Sequence, residues 1–184
     1  MTRILRDIKS ADEFDQVYDI MDASFPKTEH RPYEKQKKLL DNPVYRLFGV
    51  SRGAADADAA GSRIDAFAAV WEFEEFTYLE HFAVRPGLRS QGIGSAVLGN
   101  LQEIYDRPIC LEVELPETEQ AVHRIGFYKR NHYYFNDYTY EQPKLSEQYP
   151  AVPLRIMTSG RPISRQEFEK VRSILYRRVY GILT

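Results

Sequence analysis

The chain has 184 residues, and its 43% of hydrophobic residues is enough for a sizeable core and too much for a disordered protein. The formal net charge of −2 excludes a global field that would draw the protein to nucleic acid or to an anionic membrane. One cysteine, Cys110, excludes a disulfide within the chain and a cysteine zinc cluster. No signal-peptide pattern or long uncharged apolar stretch occurs, so we expect a cytoplasmic protein without a membrane span.

The apolar pattern predicts alternating strands and helices. Helices are expected over 11–25, 33–40, 91–105 and 117–130, and strands over 3–8, 45–51, 64–73, 76–84, 109–115 and 133–140. Ser10 precedes the first helix, and Pro32 is suited to the first position of the second. The small, polar segment 53–62 is predicted to be a mobile hairpin loop.

The order of these elements predicts an α/β fold. Strands 45–51, 64–73 and 76–84 form an antiparallel meander. The path from strand 76–84 through a helix to strand 109–115 is a βαβ crossover, which predicts that these two strands are parallel neighbours. We therefore expect a mixed β-sheet flanked by helices.

Residues 152–180 add one strand and one helix. Ser164 is followed three residues later by Glu167, a capping box, and apolar residues recur on one face of the helix that follows. One strand and one helix cannot form an independent core, so we expect a single domain over 1–184 that this segment completes. The apolar helix face then needs a partner, which is either the sheet of the same chain or a second subunit.

A glycine-containing turn lies between strand 76–84 and the helix after it. Gly92 and Gly94 let backbone N–H groups approach a ligand closely, and a helix N-terminus carries unpaired donors and a partial positive charge. Arg85 and Arg89 add positive charge nearby. The pattern predicts a pyrophosphate site, while a glycine motif alone also occurs at helix starts that bind nothing.

The residues around this turn resemble a known family. Residues 78–95 read YLEHFAVRPGLRSQGIGS. The GCN5-related N-acetyltransferase (GNAT) superfamily has Arg or Gln, two variable residues, Gly, one variable residue and Gly or Ala, after a strand that ends in an aliphatic residue, here Val84. Residues 127–133, FYKRNHY, resemble the family's closing motif, aromatic-Tyr-Glu-Lys-X-Gly-Phe, so the core motifs fall within 76–133. His132 stands where the family usually has glycine, and Ala121 stands where an asparagine often opens the preceding helix.

The resemblance implies a GNAT-like fold with acetyl-CoA as co-substrate. Backbone groups of Phe82 and Val84 would pair with the pantetheine amides as an added strand does, and N–H groups from Arg89 through Ser95 would hold the pyrophosphate. The implied cofactor-binding residues are Phe82, Ala83, Val84, Arg89, Ser90, Gln91, Gly92, Ile93, Gly94 and Ser95. Family members often pair through late strands or helices, which favours a homodimer.

Acyl transfer to an amine needs a base for the ammonium proton, a donor for the tetrahedral oxygen and a proton for the departing thiolate. In the family the base often lies four or six residues before the Val84 position, which gives Glu80 or Tyr78, and we assign Glu80. On an ideal strand Tyr78, Glu80, Phe82 and Val84 share one face, while His81 points to the other. The alternative is that Glu80 only pairs with a neighbouring cation.

Tyr128 is the general-acid candidate, because family members place this tyrosine hydroxyl near the coenzyme sulfur. A phenol with an ordinary pKa near 10 is protonated at neutral pH and can donate to a thiolate. The alternative is an aromatic core residue of an amphipathic helix.

Further residues are candidates for binding the amine acceptor: Glu29, Tyr78, Glu112 and Glu114. Glu112 and Glu114 share one face of their strand, where carboxylates suggest contact with a cationic acceptor or with an arginine. Glu29 lies in the loop between the first two helices, which in the family shapes substrate choice. Cys110 is expected to pack as a small hydrophobe, and the four scattered histidines predict no metal site.

The sequence thus predicts an N-acyltransferase that moves an acetyl group from acetyl-CoA to a primary amine by direct attack. The acceptor is a small-molecule amine or a protein amino group. The alternative is a catalytically inactive acyl-CoA-binding sensor or regulatory subunit, which would keep the same coenzyme residues. Cations between 161 and 178 alternate with apolar residues on a helix, so a solvated face is favoured over a nucleic-acid site.

Overall fold

The computed structural model describes residues 5–51, 63–145 and 147–182. The chain divides into two compact units, one made of Met1–Pro26 and Pro32–Ile109 and the other of Lys27–Arg31 and Cys110–Thr184. The segment 53–62, predicted to be a mobile hairpin loop, lies outside the described residues. None of the described helices is long and apolar enough to cross a lipid bilayer.

The described part of the first unit contains antiparallel strands and three α-helices. In chain order its elements are β1 (Arg6–Asp7), α1 (Ala11–Ser24), α2 (Tyr33–Lys37), β2 (Tyr45–Val50), β3 (Ala66–Glu72), β4 (Thr77–Val84) and α3 (Ile93–Ile104). The strands pair in the order β1-β2-β3-β4, and every pair is antiparallel. The predicted meander is therefore confirmed, although β1 is shorter than the expected 3–8.

Helix α1 begins and ends where the local chemistry requires. The Ser10 side chain accepts from the Glu13 N–H, and the Glu13 carboxylate accepts from the Ser10 N–H, each at 3.2 Å, which completes a capping box. Pro26 disfavours the helical conformation in the residue before it, and Phe25 is extended, with φ −123° and ψ 144°. The apolar face of the helix is buried and consists of Phe14, Val17, Ile20 and Met21.

Helix α2 begins at Tyr33, where the predicted range 33–40 begins, but Pro32 precedes the helix instead of taking its first position. Pro32 has a ψ of 151°, outside the helical region, so it caps the helix and Tyr33 is the first helical residue. The helix then tightens into a 3-10 turn, Lys38–Asp41, before the chain becomes extended at Asn42.

The second unit is built around a three-stranded antiparallel sheet. Its elements are β5 (Ile109–Glu114), α4 (Glu119–Arg130), β6 (Tyr133–Gln142), β7 (Val152–Ser159) and α5 (Arg165–Arg178). Strand β7 pairs with both β5 and β6, so the last strand in the chain is the middle strand of this sheet. The strand predicted at the start of 152–180 thus completes the sheet that the two earlier strands begin.

Helix α5 buries its apolar face within its own unit. Ser164 and Glu167 form the predicted capping box at its start. The Phe168 ring is 1% exposed and lies 4.9 Å from the ring of Tyr138 and 6.4 Å from that of Tyr140, both on β6. Of the two partners considered for this face, the sheet of the same chain is therefore the one observed.

Candidate active site

The turn between β4 and α3 has a backbone that glycine suits. Gly92 has φ 80° and ψ −8°, a left-handed conformation that side chains with a Cβ adopt at a cost. Ser90 also has a positive φ, 62°, so the chain turns sharply twice within three residues. Helix α3 begins after this turn at Ile93, two residues later than predicted.

The N-terminus of α3 differs from those of α1, α4 and α5. The other three helices are capped by the side chains of Ser10, Thr118 and Ser164, whereas Gly92 supplies no side-chain cap. The first intrahelical bond runs from the Ala96 N–H to the Gly92 carbonyl, 3.1 Å, so the N–H groups of the preceding turn point out along the axis. This geometry suits a phosphate group.

Two arginines flank the turn and have different surroundings. The Arg85 guanidinium donates twice to the Ile64 carbonyl, at 3.2 and 2.9 Å, which fixes it to the start of β3. Arg89 is exposed, and its Nη2 reaches the Ser24 hydroxyl at 3.4 Å. Arg89 is therefore the cation that is more accessible to a phosphate.

Strand β4 directs backbone groups toward the edge opposite β3. The Arg85 N–H donates to the Asp65 carbonyl at 2.8 Å, which identifies a hydrogen-bonded antiparallel pair. Such pairs alternate with pairs whose N–H and C=O groups point away from the partner strand. Val84 and Phe82, one and three residues earlier, therefore point their backbone groups away from β3, and the Arg89 Nε donates to the Val84 carbonyl at 3.3 Å. These are the two residues that we expect to bind the pantetheine amides.

A β-bulge interrupts β4 at the base candidate. Ala69 lies opposite His81, but the next residue on β3, Val70, lies opposite Leu79. Glu80 is the extra residue between them. A bulge leaves one residue outside the regular ladder and bends the strand, so Glu80 is not held by ordinary strand pairing.

The bulge also changes which side chains share a face. Cross-strand partners lie on the same face of a sheet, and so do residues two apart on one strand. Tyr78, which is opposite Trp71, therefore lies on the same face as His81, and Phe82 lies on the other. The expectation that Tyr78, Glu80 and Phe82 share a face that His81 avoids is wrong, because strict alternation fails where a residue is inserted.

The Glu80 carboxylate lies in a buried, partly polar environment. Its side chain and that of His81 are each 3% exposed, and His81 Nδ1 lies 3.7 Å from Glu80 Oε2. The indole N–H of Trp71 donates to the same oxygen at 3.0 Å. The His81 ring also meets the Phe25 ring edge-on, with centroids 5.0 Å apart.

Tyr128 belongs to the second unit and lies on α4. It is buried beside the rings of Phe127 and Tyr133, at centroid distances of 5.3 and 5.8 Å. Burial raises the pKa of its hydroxyl to about 12; nearby Arg124 lowers this pKa and Glu114 raises it, both more weakly. The phenol is therefore protonated throughout the physiological range.

The two carboxylates of β5 have different partners in the second unit. Glu114 pairs with Arg124 at 2.5 Å, which is the arginine contact considered for it. Glu112 accepts a short hydrogen bond from the Tyr140 hydroxyl and bonds of 3.0 Å at both oxygens from the Tyr180 hydroxyl. The pKa of Tyr140 lies well above its ordinary value because the side chain is buried and Glu112 is adjacent.

The loop Lys27–Arg31 groups with the second unit, although the helices on either side of it belong to the first. Arg31 is buried and donates through Nη2 to the carbonyl of Val179 at 3.4 Å. Val179 is the C-cap of α5, and a cation is favoured there by the helix dipole. Glu29 is half-buried in the same loop.

The remaining sequence positions behave as follows. Cys110 is buried, and burial raises the pKa of its thiol to about 12, which suits a packing role and opposes a nucleophilic one.

His132 has φ 65°, so it adopts the left-handed turn where the family pattern has glycine. Ala121 is 2% exposed, and its N–H donates to the Thr118 hydroxyl, so it offers no amide side chain to a ligand. Within the described ranges, no three His, Cys, Asp or Glu side chains are grouped as metal ligands are.

Comparison with known proteins assigns the chain to a family. Residues 14–133 match the model of the Acetyltransferase (GNAT) family. The chain belongs to the GNAT family. It is 31% identical to a GNAT-family protein from Bacteroides thetaiotaomicron, and the two structures have a TM-score of 0.86 over 97% of this chain and 99% of that one. This likeness confirms the predicted fold class and places the chain among the acetyl-CoA-dependent acyltransferases.

Other GNAT structures share the fold at lower identity. The ribosomal-protein-S18-alanine N-acetyltransferase of Escherichia coli is 16% identical, with a TM-score of 0.59 over 87% of this chain and 94% of that one. An aminoglycoside 6'-N-acetyltransferase, solved in complex with coenzyme A, is 14% identical, with a TM-score of 0.59 over 85% of this chain and 96% of that one. No curated protein sequence matches the chain.

Sequence reasoning on this GNAT chain missed residues whose roles depend on tertiary contacts. Trp71 donates to Glu80 and Tyr180 donates to Glu112, two carboxylates that the sequence predicts as site residues. Each donor lies on a different element from its acceptor, so no local spacing links the two. The composition contains one feature that draws attention to Trp71, which is the single tryptophan of the chain.

Proposed function

We propose that this GNAT protein transfers an acetyl group from acetyl-CoA to a primary amine by direct attack of the amine on the thioester. The observation that carries the proposal is the continuous β4–turn–α3 segment. Phe82 and Val84 direct backbone groups to the strand edge, and the left-handed Gly92 then opens a helix that has no side-chain cap. An extended amide chain followed by a pyrophosphate matches these two features in that order.

The pyrophosphate end of the coenzyme binds the first turn of α3. N–H groups from Arg89 through Ser95 are the donors, and the exposed Arg89 side chain adds a positive charge. Ala83 lies between the two pantetheine-binding residues, and its side chain is buried, so it contributes packing.

Glu80 acts as the general base on the acceptor. A primary amine is an ammonium ion at neutral pH and must lose a proton before its lone pair can attack the carbonyl carbon. The carboxylate accepts that proton directly or through a water molecule. Its side chain is 3% exposed, so a bridging water is needed where the amine does not reach the oxygen itself. The bulge supports this role because it removes Glu80 from regular strand pairing.

Tyr128 stabilises the departing thiolate by donating a hydrogen bond from its hydroxyl. With a pKa of about 12, this phenol is a weaker acid than a thiol with a pKa near 8.5. Full transfer of its proton would be uphill by roughly 5 kcal/mol. Donation without transfer is therefore the step we assign, and solvent supplies the final proton of the free thiol.

The acceptor is a primary amine of a small molecule or of a protein. Glu29, Tyr78, Glu112 and Glu114 are its candidate contacts. Glu114 is already paired with Arg124, Glu112 accepts hydrogen bonds from two tyrosine hydroxyls, and Tyr78 is fully buried. The half-buried Glu29 is therefore the best placed of the four. We also propose a cytoplasmic, homodimeric protein in which residues 1–184 function as one domain.

A thiol-release assay with acetyl-CoA against a library of primary amines tests the function. Release that requires one class of amine supports acetyl transfer and identifies the acceptor. Calorimetric binding of acetyl-CoA without release for any amine favours the alternative, an acyl-CoA sensor or regulatory subunit. Absence of acetyl-CoA binding by the folded protein would contradict both.

A further inference from the structure

The bulge in β4 brings together three side chains that the sequence places apart. Trp71 lies on β3, and Glu80 and His81 are consecutive on β4. Because Ala69 pairs with His81 and Trp71 pairs with Tyr78, the face that carries Trp71 also carries His81. The Glu80 carboxylate, on the inserted residue, turns toward this face and contacts both rings.

The contact between Trp71 and Glu80 is directional. An indole N–H can only donate, and an ionised carboxylate can only accept. The bond measures 3.0 Å, and Trp71 is 2% exposed. Its ring is held in turn by Tyr45 edge-on at 5.2 Å and by Phe73 stacked at 6.4 Å, so the donor has little freedom to move away.

His81 contributes to the same carboxylate without a hydrogen bond. A separation of 3.7 Å is too long for one, but two groups at this distance with little solvent between them interact strongly when both are charged. The edge contact with Phe25 limits the rotation of the imidazole. Two tyrosines border the cluster: Tyr78, the cross-strand partner of Trp71, and Tyr45, whose ring packs against the indole.

We propose that Trp71 and His81 are positioning residues for the Glu80 carboxylate, which they hold in its ionised, proton-accepting form. The inference rests on the proposed function in that Glu80 is the base. The indole N–H fixes the direction of Oε2, and the imidazole favours the carboxylate over the carboxylic acid whenever both of its nitrogens carry a proton. Removal of either group leaves a Glu80 that is present but less often ionised and less well aimed.

The single tryptophan makes the arrangement measurable without an acceptor. Emission of Trp71 is recorded from about pH 3 to pH 9, the range that spans the ordinary titration of carboxylates and of histidine. In the wild-type protein, emission changes as the Glu80–His81 pair gains protons. In Glu80→Gln the indole faces a neutral amide at every pH, so most of this change disappears. In His81→Asn the transition remains but moves to higher pH by at least about 0.5 units, because the favourable positive charge is gone.

A second measurement reports on the same contact independently of emission and adds a control for packing. The indole N–H of the one tryptophan gives a single resonance in a proton–nitrogen NMR spectrum. Loss of a carboxylate acceptor in Glu80→Gln moves this resonance, whereas Phe73→Leu, which perturbs the packing of the same ring, leaves its pH dependence intact. With an acceptor in hand, Trp71→Phe shifts the acidic limb of the kcat profile to higher pH while the acetyl-CoA Kd stays within about twofold.

The outcomes separate this inference from the proposed function. Trp71 emission and indole resonance that are the same at all pH values in wild type and Glu80→Gln overturn the inference, even if acetyl-CoA binds and turns over. An unshifted transition in His81→Asn overturns the part assigned to His81. A protein that shows both spectroscopic effects but binds no acetyl-CoA keeps the contacts and refutes the function that gives them a purpose.

Discussion

Tyr180 donates its hydroxyl to both carboxylate oxygens of Glu112, at 3.0 Å from each. Glu112 lies on β5, and Tyr180 follows the last turn of α5, so the contact fixes the end of that helix to the sheet of the second unit. The residue before it, Val179, accepts from Arg31. The loop Lys27–Arg31 is thus connected to β5 through the C-terminal end of α5.

We expect Tyr180→Phe to loosen this loop. The change keeps the ring but removes a hydrogen bond to a charged group, which should lower the free energy of unfolding by about 1 to 2 kcal/mol. Hydrogen exchange measured by mass spectrometry should become faster in peptides that cover residues 27–31. Tyr176→Phe is the matched control, because that hydroxyl donates to the Glu141 carbonyl at an exposed position. Equal loop exchange in both variants and the wild type would contradict the connection.

Gly92→Val should weaken acetyl-CoA binding by at least about tenfold while leaving the fold intact. A β-branched residue is strained at φ 80°, and the space into which its Cβ would project holds no protein atom within 4 Å, so the side chain would occupy the volume above the turn. Calorimetric titration measures the effect. Gly87→Ala, in equally open space and without a left-handed φ, should bind as the wild type does. Unchanged affinity in folded Gly92→Val would count against this turn as the phosphate site.

Tyr128→Phe should reduce kcat by about tenfold or more and leave the acetyl-CoA Kd unchanged. Because burial raises the pKa of this hydroxyl to about 12, the phenol is protonated at every pH below about 10, and the reduction should be the same across that range. Thiol release at saturating acceptor measures it. Tyr133→Phe, which removes a hydroxyl from the neighbouring ring, is the control; a similar loss in both variants would indicate a packing effect instead.

The Cys110 thiol should make stability fall in mild alkali. Burial raises its pKa from 9.0 to about 12, so the unfolded chain loses this proton before the folded chain does. Its contribution is fully present below pH 9 and is lost as pH rises from 9 toward 12, amounting to about 1.4 kcal/mol by pH 10. Urea unfolding at pH 8 and pH 10 measures the change. Cys110→Ala should start less stable but lose correspondingly less over this interval, and parallel losses in the two proteins would exclude the thiol as the cause.

Truncation after Gln142 should abolish cooperative folding. It removes β7, the middle strand of the second unit, and so leaves β5 and β6 without the partner that both are bonded to. Ring contacts of Phe168 with Tyr138 and Tyr140 are lost as well. A chain that ends at Tyr180 is the control and should unfold as the full chain does. A soluble, cooperatively unfolding 1–142 fragment would show that 152–180 is dispensable to the domain.

The contrast between Gly92 and Glu80 shows which parts of the site could be predicted from sequence. The phosphate turn is specified by consecutive residues, because a left-handed glycine at a strand–helix junction and the helix start after it are both local features. The surroundings of Glu80 are not local. They depend on a one-residue register shift between β3 and β4, and the alternation rule gives the opposite face for His81 as soon as one residue is inserted.

By itself, the sequence determined the order of the helices and strands and most of their bounds to within about two residues. It also determined the family and the turn that suits a pyrophosphate, since periodicity, caps and glycine conformations act over a few residues. Only the tertiary structure decided that the last strand lies in the middle of its sheet, that Trp71 and His81 border the Glu80 carboxylate, and that Tyr180 binds Glu112. The two hydrogen bonds among these contacts join residues 9 positions apart, Trp71 and Glu80, and 68 positions apart, Glu112 and Tyr180. They form because strands and helices from different parts of the chain bury their apolar faces together, and that packing brings the polar side chains within reach of one another.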